Sequence, residues 1–228
     1  MAGSGGRPAG SAATGSDGFR PYIEVQGVRY CTACSPWPSV GCQVDTETTS
    51  LDAMQADLVG LSFSISPNRA WYVPVGHKEG EQLPIEHVLA QIRPLMESDD
   101  LAKCAHNANY DVTVLANYGI NLQGIAFDTM LESYVLNSTA SRHDMDTLAL
   151  AHLDHKTIHF EDIAGKGAKQ LTFNQIDLDQ AAPYAAEDAD ITLRLHQVLW
   201  EKLSKEDKLK SILLGVEVPL ASVLSRME

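Results

Sequence analysis

The sequence predicts an α/β protein in which a mixed β-sheet is covered by helices on both faces. Two alternating apolar runs come first, residues 57–65 and 70–75, with the turn residues Pro67 and Asn68 between them. Such alternation is typical of two paired strands. Later in the chain, short apolar segments are interleaved with helical patterns, and the longest helix is predicted from 184 to 203. Strands first, followed by a mixture of strand and helices, fit a mixed sheet.

The other strands are shorter. Residues 40–44 form an apolar-leaning run that predicts a strand, which would carry Asp45 and Glu47 to the edge of the sheet. In the run 57–65, apolar side chains fall on one face and small polar ones on the other, which predicts a half-buried strand. A weak alternation over 22–30 indicates another strand, and the apolar run 101–105 a buried one.

Helix boundaries are marked by proline, glycine and aspartate. Pro84 opens a helix that Pro94 limits, and a second helix over 109–118 stops at Gly119. Asp128 and Asp144 are predicted to cap two further helices, the first over 129–136. Pro183 precedes the long helix, so we expect any helix over 177–182 to kink or restart there.

Composition limits the classes of function. The chain has 228 residues, 44% of them hydrophobic, and four cysteines, which fits a cytoplasmic globular protein rather than a disulfide framework. No apolar run approaches the ~18 residues of a membrane span. The net charge of −13 argues against broad affinity for phosphate backbones. An enzyme that meets phosphates through bound divalent cations remains compatible with this charge.

The N-terminal region is predicted to be separate from the rest. Residues 1–20 are rich in Gly, Ala and Ser, as in a disordered linker or tag. Residues 21–43 contain Cys31 and Cys34, and Cys42 follows eight residues later. A structural zinc site is disfavoured because a fourth ligand at suitable spacing is not visible.

Two carboxylates lie where the first central strand ends. Asp45 and Glu47 are two residues apart, so on an extended backbone they point to the same face, about 7 Å apart along the strand. Two carboxylates on one face repel each other unless a cation lies between them. A bare Asp-x-Glu is more often a solvated strand end, so this pair requires partners elsewhere in the chain.

Two predicted helices supply such partners. Asp188 lies on one face of the long helix with Tyr184 and three aliphatic residues, and Asp111 lies on an inward-looking face of the helix over 109–118. A packed core would hold these aspartates near Asp45 and Glu47. Four acidic oxygen donors favour Mg²⁺ or Mn²⁺. Two such ions ~4 Å apart clamp the attacking and leaving oxygens of a phosphodiester.

Two other motifs are interpreted as ordinary surface features. His152, His155 and His159 repeat at helical spacing, but the pattern lacks the glutamate of HExxH, so a solvated face is the better interpretation. Gly165-Lys166-Gly167 lacks the frame of a Walker loop and indicates a loop.

The motifs together resemble a known family. Asp45-x-Glu47, Asn107-x3-Asp111 and Tyr184-x3-Asp188 resemble the three motifs of the DEDD exonucleases in the subclass with tyrosine. From residue 44 to 228 the sequence resembles the 3′–5′ proofreading domain of bacterial DNA polymerase I. The segments that carry the resemblance are DTETTSLDAMQADLVGLSFSI, NYGINLQGIAFDTMLESYVLNS, RHDMDTLA, IAGKGAKQLTFNQI and YAAEDADITL. The resemblance implies a ribonuclease H-like fold.

The resemblance also implies the roles of the site residues. Asp45, Glu47 and Asp188 would hold the metal that activates water, and Asp45 would bridge to a second metal that Asp111 reaches. These ions would be Mg²⁺ or Mn²⁺, with Zn²⁺ as an alternative. Tyr184 would orient the attacking water. The resemblance also implies substrate contacts. Leu51 and Phe160 would contact the terminal bases. The 3′ nucleotide and its phosphates would be contacted by Thr48, Asn107 and Arg142.

Three functions remain in competition. The first is a metal-dependent 3′–5′ exonuclease that removes mononucleotides from single-stranded or frayed 3′ ends of DNA. The second is ribonuclease D-like trimming of RNA, and the third is a non-catalytic lobe that binds DNA ends. We expect residues 44–208 to be the exonuclease domain, and residues 209–228 to be the start of a polymerase-region helix. The expected partners are single-stranded DNA and, for a fragment, the polymerase region of the parent chain. We expect a monomer without polymerase activity of its own.

Overall fold

The computed structural model describes residues 22–25, 28–31, 42–225 and 227. The chain divides into two units, residues 1–35 and 36–228. In the first unit, β1 (Tyr22–Val25) and β2 (Val28–Cys31) pair antiparallel, so the single strand predicted over 22–30 is a hairpin. The predictions for residues 1–20 and for Cys34, and with it the question of structural zinc, lie outside the described residues.

The second unit contains a five-stranded mixed sheet. Its strands are β3 (Cys42–Thr48), β4 (Leu58–Ser66), β5 (Arg69–Pro74), β6 (Lys103–Ala105) and β7 (Ile125–Asp128), in the spatial order β5-β4-β3-β6-β7. Strands β3, β4 and β5 pair antiparallel, whereas β6 pairs parallel with β3 and β7 parallel with β6. The prediction of a mixed sheet is confirmed. Strand β7 was not predicted, because its four residues are too short for a periodicity signal.

Strand β4 is more deeply buried than its sequence pattern predicts. Its apolar residue Leu61 is fully buried, but so are Ser62 and Ser64 on the opposite face. The prediction of a half-buried strand is therefore wrong. Small polar side chains occupy that face because the long helix Leu178–Leu203 packs directly on β4.

Eight helices lie in the described part of the second unit. They are α1 (Ile85–Met96), α2 (Ala108–Asn117), α3 (Thr129–Leu136), α4 (Met145–Leu153), α5 (Phe160–Ala164), α6 (Leu178–Leu203), α7 (Asp207–Ile212) and α8 (Val218–Leu224), with 3₁₀ turns at Gly167–Lys169 and Phe173–Gln175 and a π-helical turn at Leu213–Glu217. None of the helices in the described ranges is long and apolar enough to cross a membrane.

Local capping rules placed two helix starts correctly. The Asp128 carboxylate accepts hydrogen bonds from the backbone N–H groups of Met130 and Leu131, and Asp144 accepts one from Thr147. These bonds satisfy N–H groups that have no partner inside the helix.

Proline positions predicted the helix boundaries less accurately. Helix α1 contains Pro94 and ends at Met96, so the prediction that Pro94 limits the helix is wrong by two residues. Helix α6 begins at Leu178, six residues before the predicted start, and includes Pro183. Tertiary packing explains this, since Ala181 and Ala185 on either side of Pro183 are completely buried.

Candidate active site

Strand β3 presents two carboxylates on one face of the sheet. Asp45 lies opposite Ser62 of β4, and Glu47 lies opposite Gly60. Both acids lie within the strand rather than beyond its end, which corrects the predicted strand over 40–44. Directly opposed residues of antiparallel strands point to the same face. The two acids therefore face the helix that packs on β4.

Helix α6 brings a third carboxylate to this face. Asp45, Glu47 and Asp188 each place one oxygen so that the three atoms lie within 4.8 Å of one another. Glu47 and Asp188 are buried, and Asp45 is partly buried. We refer to these three side chains as the acidic cluster. Its members come from two elements about 140 residues apart in the chain.

The electrostatics of the acidic cluster are unfavourable for three bare carboxylates. Burial raises the pKa of Asp45 to about 6. Burial, and then the charge of Asp45, raise the pKa values of Glu47 and Asp188 well above their ordinary range. A carboxylate that is removed from water and faces other carboxylates loses its preference for the charged form. The arrangement therefore favours a positive partner.

Asp111 lies beside the acidic cluster but is held differently. Its Oδ1 atom accepts a hydrogen bond from the backbone N of Thr46 at 3.0 Å and one from the Thr46 hydroxyl at 2.6 Å. Its pKa is raised well above normal by burial and then by the charge of Asp45, despite these hydrogen bonds. Thr46 thus fixes Asp111 next to Asp45, while Asp111 stays outside the group of three close oxygens. Sequence analysis did not identify Thr46.

Tyr184 lies one helical turn before Asp188 on helix α6. Its ring packs among aromatic rings, with centroid distances of 6.2 Å to Phe160 and 5.9 Å to Phe173. The pKa of Tyr184 is raised by burial and then by the charge of Asp188. Tyr184 therefore keeps its proton at neutral pH and acts as a hydrogen-bonding group rather than a base.

The residues expected to contact bases flank the acidic cluster. Leu51 is 98% exposed in the loop after β3, and Phe160 is half-buried against Phe173 and Tyr184. Tyr110 fixes the start of this loop, since its hydroxyl bonds the Ser50 carbonyl and Thr48.

Of the residues expected near the 3′ nucleotide, Thr48 ends strand β3, and the other two lie just before helices. Asn107 precedes α2 in the left-handed conformation, with φ 65°, and its backbone N–H donates to Asp128. Arg142 is exposed, and its Nε donates to Asp144 at 2.7 Å. Arg142 is thus already paired with an acid, so a phosphate would have to compete with Asp144.

The histidines of the 152–159 segment pair individually with neighbours. His155 Nε2 lies 2.9 Å from Glu187, and His159 Nδ1 lies 2.9 Å from Asp146. Across the described ranges, the acidic cluster is the one group of three or more His, Cys, Asp or Glu side chains with metal-ligand spacing. The interpretation against a histidine metal site is consistent with this geometry.

The acidic cluster fits a divalent cation. The Oε1 atom of Glu47 is buried and makes no hydrogen bond with any described residue. An unpartnered buried carboxylate oxygen is costly in a folded protein. Carboxylate oxygens are the ligands that Mg²⁺ and Mn²⁺ prefer. Asp45, Glu47 and Asp188 could therefore hold such an ion, and Asp111 could reach a second one.

The fold and this acidic site together define a ribonuclease H-like α/β protein with a candidate metal centre on its sheet. A family model described as 3′–5′ exonuclease matches residues 33–204. The chain belongs to this 3′–5′ exonuclease family.

Relatives and structures agree with this assignment. The chain is 57% identical to DNA polymerase I of Pseudomonas aeruginosa over 189 residues, which cover 81% of this chain and 21% of that protein. DNA polymerase I of Rhizobium leguminosarum is 43% identical and has 20% of its length covered. The chain thus spans about a fifth of these relatives. The structure of Brucella melitensis NrnC has a TM-score of 0.62 at 19% identity, covering 84% of this chain and 88% of that chain.

Proposed function

We propose that this chain is a metal-dependent 3′–5′ exonuclease that removes mononucleotides from single-stranded or frayed 3′ ends of DNA. The observation that carries the proposal is the acidic cluster, three carboxylates with oxygens within 4.8 Å of one another in a member of the 3′–5′ exonuclease family. Divalent ions bound there would supply Lewis acidity to the scissile phosphate and acidify a water molecule.

Each residue of the candidate site has a role in this proposal. Asp45, Glu47 and Asp188 hold one ion, and Asp45 with Asp111 holds the second. Mg²⁺ and Mn²⁺ fit this all-carboxylate donor set better than Zn²⁺, which is bound mainly by nitrogen and sulfur ligands. Burial and then the charge of Asp188 raise the pKa of Tyr184, so its protonated hydroxyl can form a hydrogen bond with the attacking water and orient it.

The two apolar contacts explain why unpaired ends are preferred. Leu51 projects into solvent and Phe160 presents an aromatic ring. A base can pack against these side chains only when it is unstacked from its neighbours. Contacts with aromatic rings are worth about 1–3 kcal/mol per base and tolerate any sequence, as proofreading requires.

The chain's relatives indicate a further partner. The curated relatives are DNA polymerases I of about four times this length. We propose that in a protein of that length the domain receives the 3′ end from the polymerase region. The alternative proposal is that the chain trims RNA 3′ ends, and the assay below therefore includes an RNA strand.

One assay tests the proposal. Primers with a 3′-terminal mismatch, a paired 3′ end or a 3′-phosphate are incubated with Mg²⁺, with and without chelator, beside an RNA strand of the same sequence. We expect mononucleotide release from the 3′ side, faster on the mismatch, blocked by 3′-phosphate and lost with chelator. Release of 5′-terminal label as mononucleotide at early times contradicts the proposal, and faster cleavage of the RNA strand supports the alternative.

A further inference from the structure

Tyr72 lies on the same face of the sheet as the acidic cluster. Asp45 is opposite Ser62, and Ser62 is opposite Tyr72, so these three side chains form one row across β3, β4 and β5. In the neighbouring row, Glu47 is opposite Gly60. A Cβ atom at position 60 would overlap the Tyr72 hydroxyl. The hydroxyl therefore occupies the space over Gly60.

This position brings the hydroxyl beside Glu47. The Cβ atoms of directly opposed residues lie about 4.5–5.5 Å apart, and the Tyr72 hydroxyl oxygen lies 2.2 Å from the position that a Cβ of residue 60, opposite Glu47, would occupy. The charge of Glu47 contributes, after burial, to a raised pKa of Tyr72. Yet the Glu47 Oε1 atom has no hydrogen-bond partner among the residues that the structure describes. A neutral hydroxyl near a bare carboxylate normally donates to it.

His77 explains why Tyr72 does not donate to Glu47. The Tyr72 hydroxyl lies 2.7 Å from His77 Nε2, and His77 Nδ1 lies 3.1 Å from the Ile176 carbonyl. A carbonyl oxygen can only accept, so Nδ1 carries the ring proton. Burial lowers the pKa of His77, and the neutral ring then has a lone pair at Nε2. The Tyr72 hydroxyl has one proton, and it donates its hydrogen bond to Nε2 of His77.

The orientation of the His77 ring is itself well determined. Its backbone N–H donates to Gln82 Oε1 at 2.8 Å, and Gln82 Nε2 donates back to the His77 carbonyl at 2.6 Å. The ring packs against Tyr72 at 5.8 Å and Phe173 at 5.7 Å between centroids. The bonds with Gln82 hold the backbone of His77, and the two ring nitrogens face Tyr72 and the Ile176 carbonyl.

We propose that His77 is a positioning residue that holds the hydroxyl proton of Tyr72 away from Glu47 and so keeps the Glu47 carboxylate free for a divalent cation. Without His77, the Tyr72 hydroxyl would donate its hydrogen bond to Glu47 Oε1 and compete with the metal. The inference rests on the proposed function, because it assumes that Glu47 is a metal ligand.

A matched pair of substitutions separates this role from a structural one. His77→Asn retains an N–H for the Ile176 carbonyl but loses the acceptor for Tyr72. His77→Gln does the reverse, since its side-chain oxygen reaches the Nε2 position. We expect Mn²⁺ affinity, measured by calorimetry on the metal-free protein, to fall about tenfold in His77→Asn and to stay within about twofold of wild type in His77→Gln.

A double mutant gives the sharper test. Tyr72→Phe removes the competing proton, so Tyr72→Phe alone and Tyr72→Phe/His77→Asn should both bind Mn²⁺ nearly as tightly as wild type. A purely structural role predicts the opposite, namely additive losses. Unchanged affinity of His77→Asn, or no recovery in the double mutant, overturns the inference.

Two controls complete the experiment. Asp45→Ala is titrated in parallel. If wild type binds Mn²⁺ no better than Asp45→Ala, the proposed metal site is wrong. If wild type binds Mn²⁺ more tightly than Asp45→Ala and His77→Asn binds it as tightly as wild type, only this inference is wrong. If His77→Asn does not fold, ¹⁵N NMR of the wild-type imidazole decides. We expect the tautomer with the proton on Nδ1 at neutral pH, and a proton on Nε2 overturns the inference.

Discussion

Helix α6 contributes to two buried acidic regions that are built in opposite ways. In the acidic cluster, Asp188 faces Asp45 and Glu47. Two turns further along, His196 lies 2.7 Å from Glu132 of α3, and both side chains of this second pair are completely buried. Burial raises the pKa of Glu132, and the hydrogen bond with His196 offsets part of that rise. The carboxylates of the acidic cluster instead face one another.

The difference separates a structural acid from a functional one. A buried carboxylate is tolerated when a neighbouring group compensates its charge, and removing that group is destabilising. In the acidic cluster, by contrast, the three neighbouring side chains are all carboxylates, with oxygens within 4.8 Å of one another, so we expect a bound ion to compensate their charge. We therefore expect substitutions in the two regions to have opposite effects on stability and on activity.

The largest effect is expected at the acidic cluster. Asp45→Ala should reduce hydrolysis about 10³-fold or more, because it removes a ligand shared by both proposed ions. The melting temperature of the metal-free protein should stay the same or rise, since one of several repelling charges is lost. Rates come from the mismatched primer assay and melting from circular dichroism. Glu201→Ala, which removes an exposed acid of the same helix, is the matched control with normal activity.

The second region should respond in the other direction. His196→Phe should lower the free energy of unfolding by about 3 kcal/mol, because it leaves the buried Glu132 without its partner. Denaturant unfolding measures this loss. The rate per folded molecule should remain within a few fold of wild type. A normal stability of His196→Phe would remove the distinction between the two regions.

Tyr184 sharpens the comparison because its protonated hydroxyl lies near the carboxylate of Asp188. Tyr184→Phe should reduce the rate about 10²-fold, with nearly unchanged binding of Mn²⁺ and DNA, since only the water-orienting hydroxyl is lost. Single-turnover kinetics and calorimetry measure these quantities. Activity equal to wild type would make Tyr184 a core residue. A loss as large as that of Asp45→Ala would show a role beyond orienting water.

The smallest effect is a pH dependence of the metal-free protein. The pKa of Asp45 is about 6 in the folded state, above its unfolded value of about 4. The folded state therefore binds more protons between these values, and stability should fall as pH rises from about 4 to above 6. Since Asp45 is partly exposed, we expect a loss of about 1–2 kcal/mol. Saturating Mg²⁺ should restore stability at pH 7 to 8, and a metal-free protein that gains stability with rising pH would contradict the prediction.

Much of the candidate site follows from local spacing. Two acids at spacing two share a face of any strand, and Tyr184 and Asp188 at spacing four share a face of any helix. The caps at Asp128 and Asp144 are equally local, since each carboxylate bonds backbone within three residues. The sequence alone was sufficient for these features because their geometry depends on one element at a time.

Contacts between elements were decided by tertiary structure. The hydrogen bonds of Thr46 to Asp111 join residues 65 positions apart, and the row from Asp45 to Tyr72 depends on the registers of two strand pairs. Phe173 contacts Tyr72, Phe160 and Tyr184 from a 3₁₀ turn without a periodic pattern. Register and packing are set by the complete set of buried contacts, so no local window of the sequence contains them.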